Sequence, residues 1–281
     1  MKRALEKDKF QFIGKSLYFP ERKMLALADL HIGYEEYLNK LGIFLPRMQF
    51  KEIMKELEEI FEGVGEINKE KENKEINKIK KIDKDRERED KKIEKINKEN
   101  KRKNEKIEKI VVAGDLKHEF GQISSQEWRE TKEVLEFFKK KAKKVILVKG
   151  NHDNILAPIA SRKELKIKEF YVDGEICFLH GNKMFNECLD KKIKLLVIGH
   201  RHPAVVLSDK YKREKYKCFL VGNWKGKKVI ILPSFFPFIE GSDIVEDRYN
   251  KLFVDEKSLK NFDVWIVGDK VYRFGKLRGI I

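Results

Sequence analysis

The chain has 281 residues, of which 39% are charged and 41% hydrophobic, and its formal net charge is +16. No apolar run is long enough to cross a membrane, and the N-terminal sequence MKRALEKDKFQF lacks the apolar segment of a secretory signal. Because the three cysteines are widely spaced and form no C-x-x-C pair, we expect buried thiols in a cytoplasmic protein rather than a disulfide framework or a zinc site.

The first strong strand pattern is KMLALADL at residues 23–30, an apolar run that ends in polar residues. Asp29 and His31 stand at its end, in ADLHIG. Residues 46–61, PRMQFKEIMKELEEIF, then repeat apolar residues at helical spacing. A strand followed by a helix is the unit from which parallel sheets are built.

Residues 66–109 differ from the rest, because they consist almost wholly of Lys, Glu, Asp, Arg, Asn and Ile. Without Pro, Gly or aromatic residues, this segment cannot build a core of its own. Its isoleucines recur at spacings of 3 and 11, and Lys and Glu favour helix. We therefore expect one domain over residues 1–281 with a charged insertion at 66–109, either a projecting helix or helical hairpin, or disordered.

Four further strand patterns follow, and each ends in polar residues: EKIVVAGD, KKVILVKG, GEICFLH and IKLLVIGH. Residues 124–144 between them have helical spacing and begin with a Ser suited to an N-cap. Two hairpins are predicted near the C-terminus, with turns at 225–227 and 268–269. Alternating strands and helices followed by hairpins predict a mixed α/β fold.

All the histidines of the chain stand at the polar ends of these predicted strands. They are His31 after KMLALADL, His118 after EKIVVAGD, His152 after KKVILVKG, His180 in GEICFLH, and His200 with His202 at the end of IKLLVIGH. Asp29, Asp115 and Asn151 accompany them. A single strand-end His or Asp is usually a cap or turn residue, but ligands bind at strand ends in open α/β sheets. The joint coincidence favours one functional site.

Carboxylates, imidazoles and an amide oxygen without a thiolate suit manganese, iron or zinc. About seven candidate ligands are too many for one ion, and they fit two ions about 3.5–4 Å apart that share a bridging carboxylate. Phosphatases and nucleases use this arrangement.

The motifs DLH, GDLKH, GNHD, HG and GHRHP, in this order, resemble those of the calcineurin-like metallophosphoesterases. The match spans residues 24–203 apart from the insertion, and DLHIGYEEYLNKLGIFLPRMQ and ILPSFFPF resemble the small ICC-like or SbcD-related subgroup. This resemblance implies a four-layer αββα sandwich, in which two packed mixed β-sheets are flanked by helices and carry the site at one edge.

The resemblance also implies a role for each motif residue. Asp29, His31 and His202 would bind one metal, Asn151, His180 and His200 the other, and Asp115 would bridge them. The ions would be two divalent cations, Mn²⁺ first, with Fe, Zn or Ni as alternatives. His152 would donate a proton to the leaving oxygen. His118, at a position where many relatives have Asp, would either support His152 or contact the substrate.

We therefore expect a hydrolase that cleaves a phosphodiester by attack of metal-activated hydroxide. A nuclease acting on DNA or RNA ends is the first alternative, favoured by His118 and the positive charge, although part of that charge falls in the insertion. A binding scaffold without catalysis is the second, and the complete ligand set disfavours it. Asn182 and Lys183 follow His180 where many relatives have Gly-His, so the residues that recognise the leaving group stay open.

Overall fold

Two β-sheets pack face to face at the centre of the protein. The computed structural model describes residues 10–82, 106–121, 123–208, 211–238, 240–243 and 253–280. The prediction of a mixed α/β fold with two packed sheets and flanking helices is confirmed.

The first sheet has the strand order β1-β2-β3-β4-β5-β6. Its strands are β1 (Gln11–Ile13), β2 (Ser16–Phe19), β3 (Met24–Leu27), β4 (Ile107–Ala113), β5 (Ala142–Val148) and β6 (Ile167–Lys168). β1 to β3 are antiparallel neighbours, whereas β3 to β6 are parallel. Because parallel strands end at the same sheet edge, the polar residues that follow β3, β4 and β5 are brought together.

The second sheet has nine strands in the order β13-β10-β11-β12-β9-β8-β7, with β14 pairing β11 and β15. They are β7 (Phe170–Asp173), β8 (Ile176–Leu179), β9 (Leu195–Ile198), β10 (Pro203–Ser208), β11 (Arg213–Trp224), β12 (Lys227–Ile231), β13 (Ser242–Asp243), β14 (Asp263–Val267) and β15 (Val271–Lys276). β8, β9 and β12 are parallel. Both predicted hairpins, β11–β12 and β14–β15, form.

The helices pack mainly on the first sheet. They are α1 (Tyr34–Lys40), α2 (Gln49–Ile82), α3 (Ser125–Lys141), α4 (Ala157–Arg162) and α5 (Glu256–Leu259). The side chain of Ser124 accepts a hydrogen bond from the amide of Glu127 and caps α3 as predicted. Leu57 of α2 and Phe138 of α3 are buried in the cluster that covers the first sheet.

A separate apolar cluster fills the space between the two sheets, and Phe178 and Phe219 are fully buried in it. Fully burying a Phe contributes roughly 1.5–3 kcal/mol relative to exposure. This cluster holds the two sheets in a fixed relation, so loops from both can contribute to one site.

The first part of the charged segment 66–109 is helical, because α2 continues without a break to Ile82. It also contacts the domain: the hydroxyl of Tyr18 donates to Asn68 at 2.7 Å, and Lys71 pairs with Glu21 at 2.8 Å. At its other end, residues 107–109 lie in β4. Residues 83–105 fall outside the described residues, so a separate insertion over the full range stays a prediction.

The expectation of free thiols is wrong for two of the cysteines. Cys177 and Cys188 are joined by a disulfide, whereas Cys218 is free and buried. No helix among the described residues combines the length and apolar character needed to cross a lipid bilayer.

Candidate metal centre

The polar residues that follow β3, β4, β5, β8 and β9 converge between the ends of the two sheets. The amide of Asp29 donates to the carbonyl of Gly114 at 3.0 Å, which joins the loops after β3 and β4. The amide of His200, on the second sheet, donates to the Asp29 carboxylate at 2.9 Å. His180 Nδ1 lies 3.2 Å from the carbonyl of Ala113 and must be the donor, since a carbonyl only accepts. Both sheets therefore build one site.

Asp29, His31 and His202 form one group of potential ligands, whose ligand atoms lie within 4.8 Å of one another. His31 Nε2 is 3.2 Å from His202 Nε2, and His202 Nε2 is 3.6 Å from Asp29 Oδ2. A carboxylate and two imidazole nitrogens at this spacing can share one cation.

Asp115, His180 and His200 form a second such group. His180 Nε2 is 2.9 Å from Asn151 Oδ1 and 3.0 Å from His200 Nδ1. Asn151 therefore adds an amide oxygen to this group, as the sequence predicts for the second metal.

The carboxylate of Asp115 lies between the two groups. Its Oδ2 is 3.3 Å from His180 Nε2 and 3.8 Å from His31 Nε2. This position suits a bridging ligand. All the predicted metal ligands are thus brought together, and the assignment of each one to an ion stays a prediction.

The donor set fits divalent cations. Asp29 Oδ1 is buried and makes no hydrogen bond to any described residue, and the closest charged group is His180 Nδ1 at 3.5 Å. A buried carboxylate oxygen without a partner is costly. A cation bound between carboxylates and imidazoles would satisfy it.

The backbone is strained at the predicted ligands. Asp29, His31, Asp115, His200 and His202 all have positive φ, from 47° to 68°. This left-handed conformation is uncommon for residues other than Gly, and strained residues of this kind cluster at functional sites at a cost of about 1–3 kcal/mol each. The strain supports a functional rather than a structural origin for the cluster.

Two glycines allow the loops to approach each other closely. A Cβ at Gly114, where φ is 93°, would lie 2.2 Å from His180 Nδ1. A Cβ at Gly150 would lie 2.0 Å from Asp115 Oδ1. Any side chain at either position would displace a predicted ligand.

Asp115 and His180 are electrostatically matched. Burial alone would raise the pKa of the Asp115 carboxyl, but the hydrogen bond and charge of His180 outweigh it and hold that pKa well below its usual range. Burial alone would lower the pKa of His180, but its contact with Asp115 raises it to about 9. The carboxylates of this site therefore attract positive charge to the position where a cation would bind.

Two other imidazoles are held neutral. Burial and the neighbouring His202 lower the pKa of His31 well below its usual value. Burial and the neighbouring His180 lower the pKa of His200 to about 4. Neutral imidazole is the form that binds metal, so both residues are ready to act as ligands.

His152 lies beside this cluster with its ring orientation fixed. Its Nδ1 is 2.5 Å from the carbonyl of His118 and must donate to it. Its Nε2 is 4.0 Å from Oδ2 of Asp115, the predicted bridging carboxylate. The ring of Phe120, 51% exposed, lies against the His152 ring with centroids 3.8 Å apart. The geometry suits a proton donor at Nε2.

His118 supports His152 through its backbone, since its carbonyl accepts the His152 hydrogen bond. Its imidazole Nδ1 is 3.3 Å from His31 Nδ1, and its ring packs edge-on against Tyr34 at 4.5 Å. Burial, followed by the charge of His152, lowers the pKa of His118 to about 4, so the ring is neutral at pH 7. Contact of this ring with substrate stays a prediction.

Three supporting residues were missed by the sequence reasoning. Lys117 is fully buried and donates to the carbonyls of His152, at 2.7 Å, and Glu119. Gln49 Nε2 donates to the carbonyl of His31 at 2.9 Å, and the Ser234 hydroxyl donates to that of Asp29 at 3.0 Å. Each lies inside a motif quoted above and could have been suspected: Lys117 in GDLKH, Gln49 at the end of DLHIGYEEYLNKLGIFLPRMQ, and Ser234 in ILPSFFPF.

The family model described as calcineurin-like phosphoesterase matches residues 22–271. The crystal structure of the nuclease MPE from Pseudomonas putida matches with a TM-score of 0.56 and 17% identity, covering 94% of this chain and 100% of that one. At this identity the likeness shows the fold alone.

Two other solved structures are less similar. The E. coli phosphoesterase Yfce matches with a TM-score of 0.30 and 16% identity, covering 65% of this chain and 89% of that one. A mutant of Vps29 from Entamoeba histolytica matches with a TM-score of 0.30 and 15% identity, covering 60% and 81%. Comparison with curated protein sequences gives no match.

Proposed function

This chain belongs to the calcineurin-like phosphoesterase family, and from that premise we propose that it is a metal-dependent hydrolase of phosphodiesters. The observation that supports this best is the position of Asp115. Its Oδ2 lies 3.3 Å from His180 and 3.8 Å from His31, between two groups that can each hold a cation. We propose Mn²⁺ as the native ion, with Fe, Zn or Ni as alternatives.

Two bound cations lower the pKa of a water between them and neutralise charge on the phosphoryl group. Asp29, His31 and His202 would hold one ion, and Asn151, His180 and His200 the other. The peptide groups of the two sheets keep these side chains at fixed spacing, so little reorganisation is needed during the reaction.

His152 is the proposed general acid. Its Nδ1–H is committed to the His118 carbonyl, so the imidazolium form would deliver the proton on Nε2 and be left as the neutral Nδ1–H tautomer. The leaving oxygen of an alkyl diester has a high pKa and needs that proton as its bond to phosphorus breaks.

We propose that the protein is located in the cytoplasm. Charged residues make up 39% of the chain, and enrichment in Lys and Glu is typical of proteins from hot environments. Disulfides are rare in intracellular proteins, but those of hyperthermophiles are an exception. The disulfide between Cys177 and Cys188 is therefore compatible with this location.

A nuclease is the second candidate. The feature of this chain that favours it is the pair Lys149 and Lys183, which line a cavity at Asn151 beside the predicted second metal. We disfavour the inactive scaffold, because all the residues expected to bind metal lie close together.

Hydrolysis of bis(4-nitrophenyl) phosphate after EDTA treatment tests the proposal. Activity should disappear on chelation and return with added Mn²⁺. Asp115→Asn should abolish it and lower the bound metal, measured by mass spectrometry, because one carboxylate serves both ions. The matched control is Asp269→Asn, which changes an exposed carboxylate in the β14–β15 turn. Full activity of the EDTA-treated protein without added metal would disprove the metal-dependent mechanism.

A further inference from the structure

A cavity of about 250 Å³ opens beside the predicted second metal ion. The residues that line it include the predicted ligand Asn151, two lysines and two further asparagines: Lys149, Lys183, Asn154 and Asn182. Sites that enclose a drug-sized ligand measure roughly 300–1,000 Å³. A cavity of this size and position therefore suits one part of a substrate whose reacting phosphate lies at the metals.

The polar groups of this cavity are mainly unused donors. Lys183, Asn154 and Asn182 are exposed and make no hydrogen bond or ion pair with any described residue. Among the described residues, Glu169 is the one carboxylate that lines the cavity; it is 4.0 Å from Lys149, and the two side chains are 56% and 39% exposed. An ion pair this long and exposed contributes little, so it leaves Lys149 available to an anion.

We propose that this cavity binds a second phosphate of the substrate, next to the phosphate that is cleaved. Two ammonium groups with adjacent amide donors match the oxygens of a phosphate, and the ligand Asn151 connects the cavity to the reacting centre. The substrate is then a chain with phosphates on neighbouring units, as in a single-stranded polynucleotide, rather than an isolated diester. This inference rests on the proposed phosphodiesterase function.

A second cavity of the protein provides the control. It is lined by Lys191, Lys194 and other residues that precede β9 or lie at the β11–β12 turn. His200 follows the opposite end of β9. Lysines of the same kind therefore line a cavity away from the metal centre.

The test compares a Lys149→Ala/Lys183→Ala variant with a Lys191→Ala/Lys194→Ala variant. KM and kcat are measured for a short single-stranded oligonucleotide and for bis(4-nitrophenyl) phosphate over a range of salt. Losing one phosphate contact should lower the slope of log affinity against log salt by about 0.7. We expect the first variant to raise KM for the oligonucleotide about tenfold at low salt, with a much smaller change for the small diester. The control variant should match the unaltered protein on both.

Equal changes for both substrates, or no change for the oligonucleotide, would overturn the inference. Binding of a fluorescent oligonucleotide to the same variants in a His152→Ala background separates this result from failure of the proposed function. If neither substrate is cleaved, the proposed function fails, yet loss of binding on removal of Lys149 and Lys183 would still support the cavity. Retained binding would refute it.

A nucleoside triphosphate offers the same second phosphate from a small molecule, so its inhibition constant is measured as well. If removing Lys149 and Lys183 weakens binding of the oligonucleotide as predicted, the polynucleotide assignment stands. If it weakens binding of the triphosphate alone, that assignment is wrong.

Discussion

His152 differs from His180 in the surroundings of its Nε2. Both residues donate Nδ1–H to a backbone carbonyl. His180 Nε2 lies 2.9 Å from Asn151 Oδ1 and 3.0 Å from His200 Nδ1, whereas His152 Nε2 is 4.0 Å from Asp115 Oδ2. A residue in this position can affect proton transfer without holding an ion.

We predict that His152→Ala keeps nearly all of the bound metal and slows turnover roughly 10²–10⁴-fold, the usual contribution of a general acid. The loss should be smaller for a nitrophenyl diester than for an alkyl diester, because nitrophenolate leaves without a proton. Rates on both substrates and the metal content check this. Equal losses on both substrates would contradict a role as proton donor.

Lys217 is a buried lysine whose pKa is lowered. Its ammonium donates to the carbonyls of Ser234, at 3.1 Å, and Phe236, in the loop that covers Asp29. Burial lowers the pKa of Lys217 to about 7, whereas an unfolded Lys has a pKa of about 10.4.

Between these two values the unfolded chain binds more protons than the folded one, so this residue makes stability rise with pH. Below pH 7 the folded protein carries the full cost of burying the charged ammonium. This cost falls as the pH rises and the buried amine loses its proton. We predict that, from about pH 7 to 10, the unfolding free energy of the unaltered protein rises relative to that of Lys217→Met, which has no amine to titrate. Urea unfolding at several pH values measures it, and a constant difference would disprove the shifted pKa.

At the scale of elements, α2 changes its environment along its length. Its first turns pack on the sheet through Ile53, Leu57 and Ile60, and Asn68 and Lys71 still contact Tyr18 and Glu21. The two ends of the charged segment also lie close together, because the amide of Glu108 donates to the carbonyl of Lys23 at 2.9 Å. Lys23 follows Glu21, the partner of Lys71, by two residues.

We predict that a short Gly/Ser linker in place of residues 73–105 keeps the melting temperature and the metal content. The same linker in place of 66–105 should lower the melting temperature, because it removes the contacts of Ile67, Asn68 and Lys71 with the domain. Circular dichroism melting of both variants checks this. Equal melting temperatures would mean that these contacts contribute nothing to stability.

At the scale of the whole molecule, the predicted metal ligands come from both sheets. Asp29 and Asp115 follow strands of the first sheet, and His180 and His200 follow strands of the second. Cations bound between them would join the sheets and balance the buried carboxylates. A ligand that binds only the folded state stabilises it, by about 2.7 kcal/mol at 100 times its Kd.

We therefore predict that EDTA lowers the melting temperature by several degrees and that Mn²⁺ restores it. Asp115→Asn should lose most of this response, whereas Asp269→Asn should keep it. Calorimetry with and without metal measures the effect. An identical melting temperature in both conditions would contradict a metal site shared by the sheets.

Much of the architecture could be predicted because each buried strand carries its own signal. The apolar runs around β3, β4, β5, β8 and β9 are long enough to be read from hydrophobicity alone. β6 and β13 have two residues each, too few to show an alternation of apolar and polar side chains, so no local pattern could reveal them. The disulfide was missed for a related reason, since the pairing of cysteines depends on where β8 and its following segment meet.

The sequence by itself determined which residues stand at the ends of strands and in which order, and hence the family and the ligand chemistry that we expect. Only the tertiary structure decided that Asp29 meets His200 across the sheets, that Lys117 supports His152, and that Lys149 and Lys183 line one cavity. The physical reason is that periodicity and composition indicate which side chains of a segment are buried, but not which distant segment packs against them. Contacts between residues far apart in the chain depend on how the two sheets pack, and that packing is encoded in no single segment.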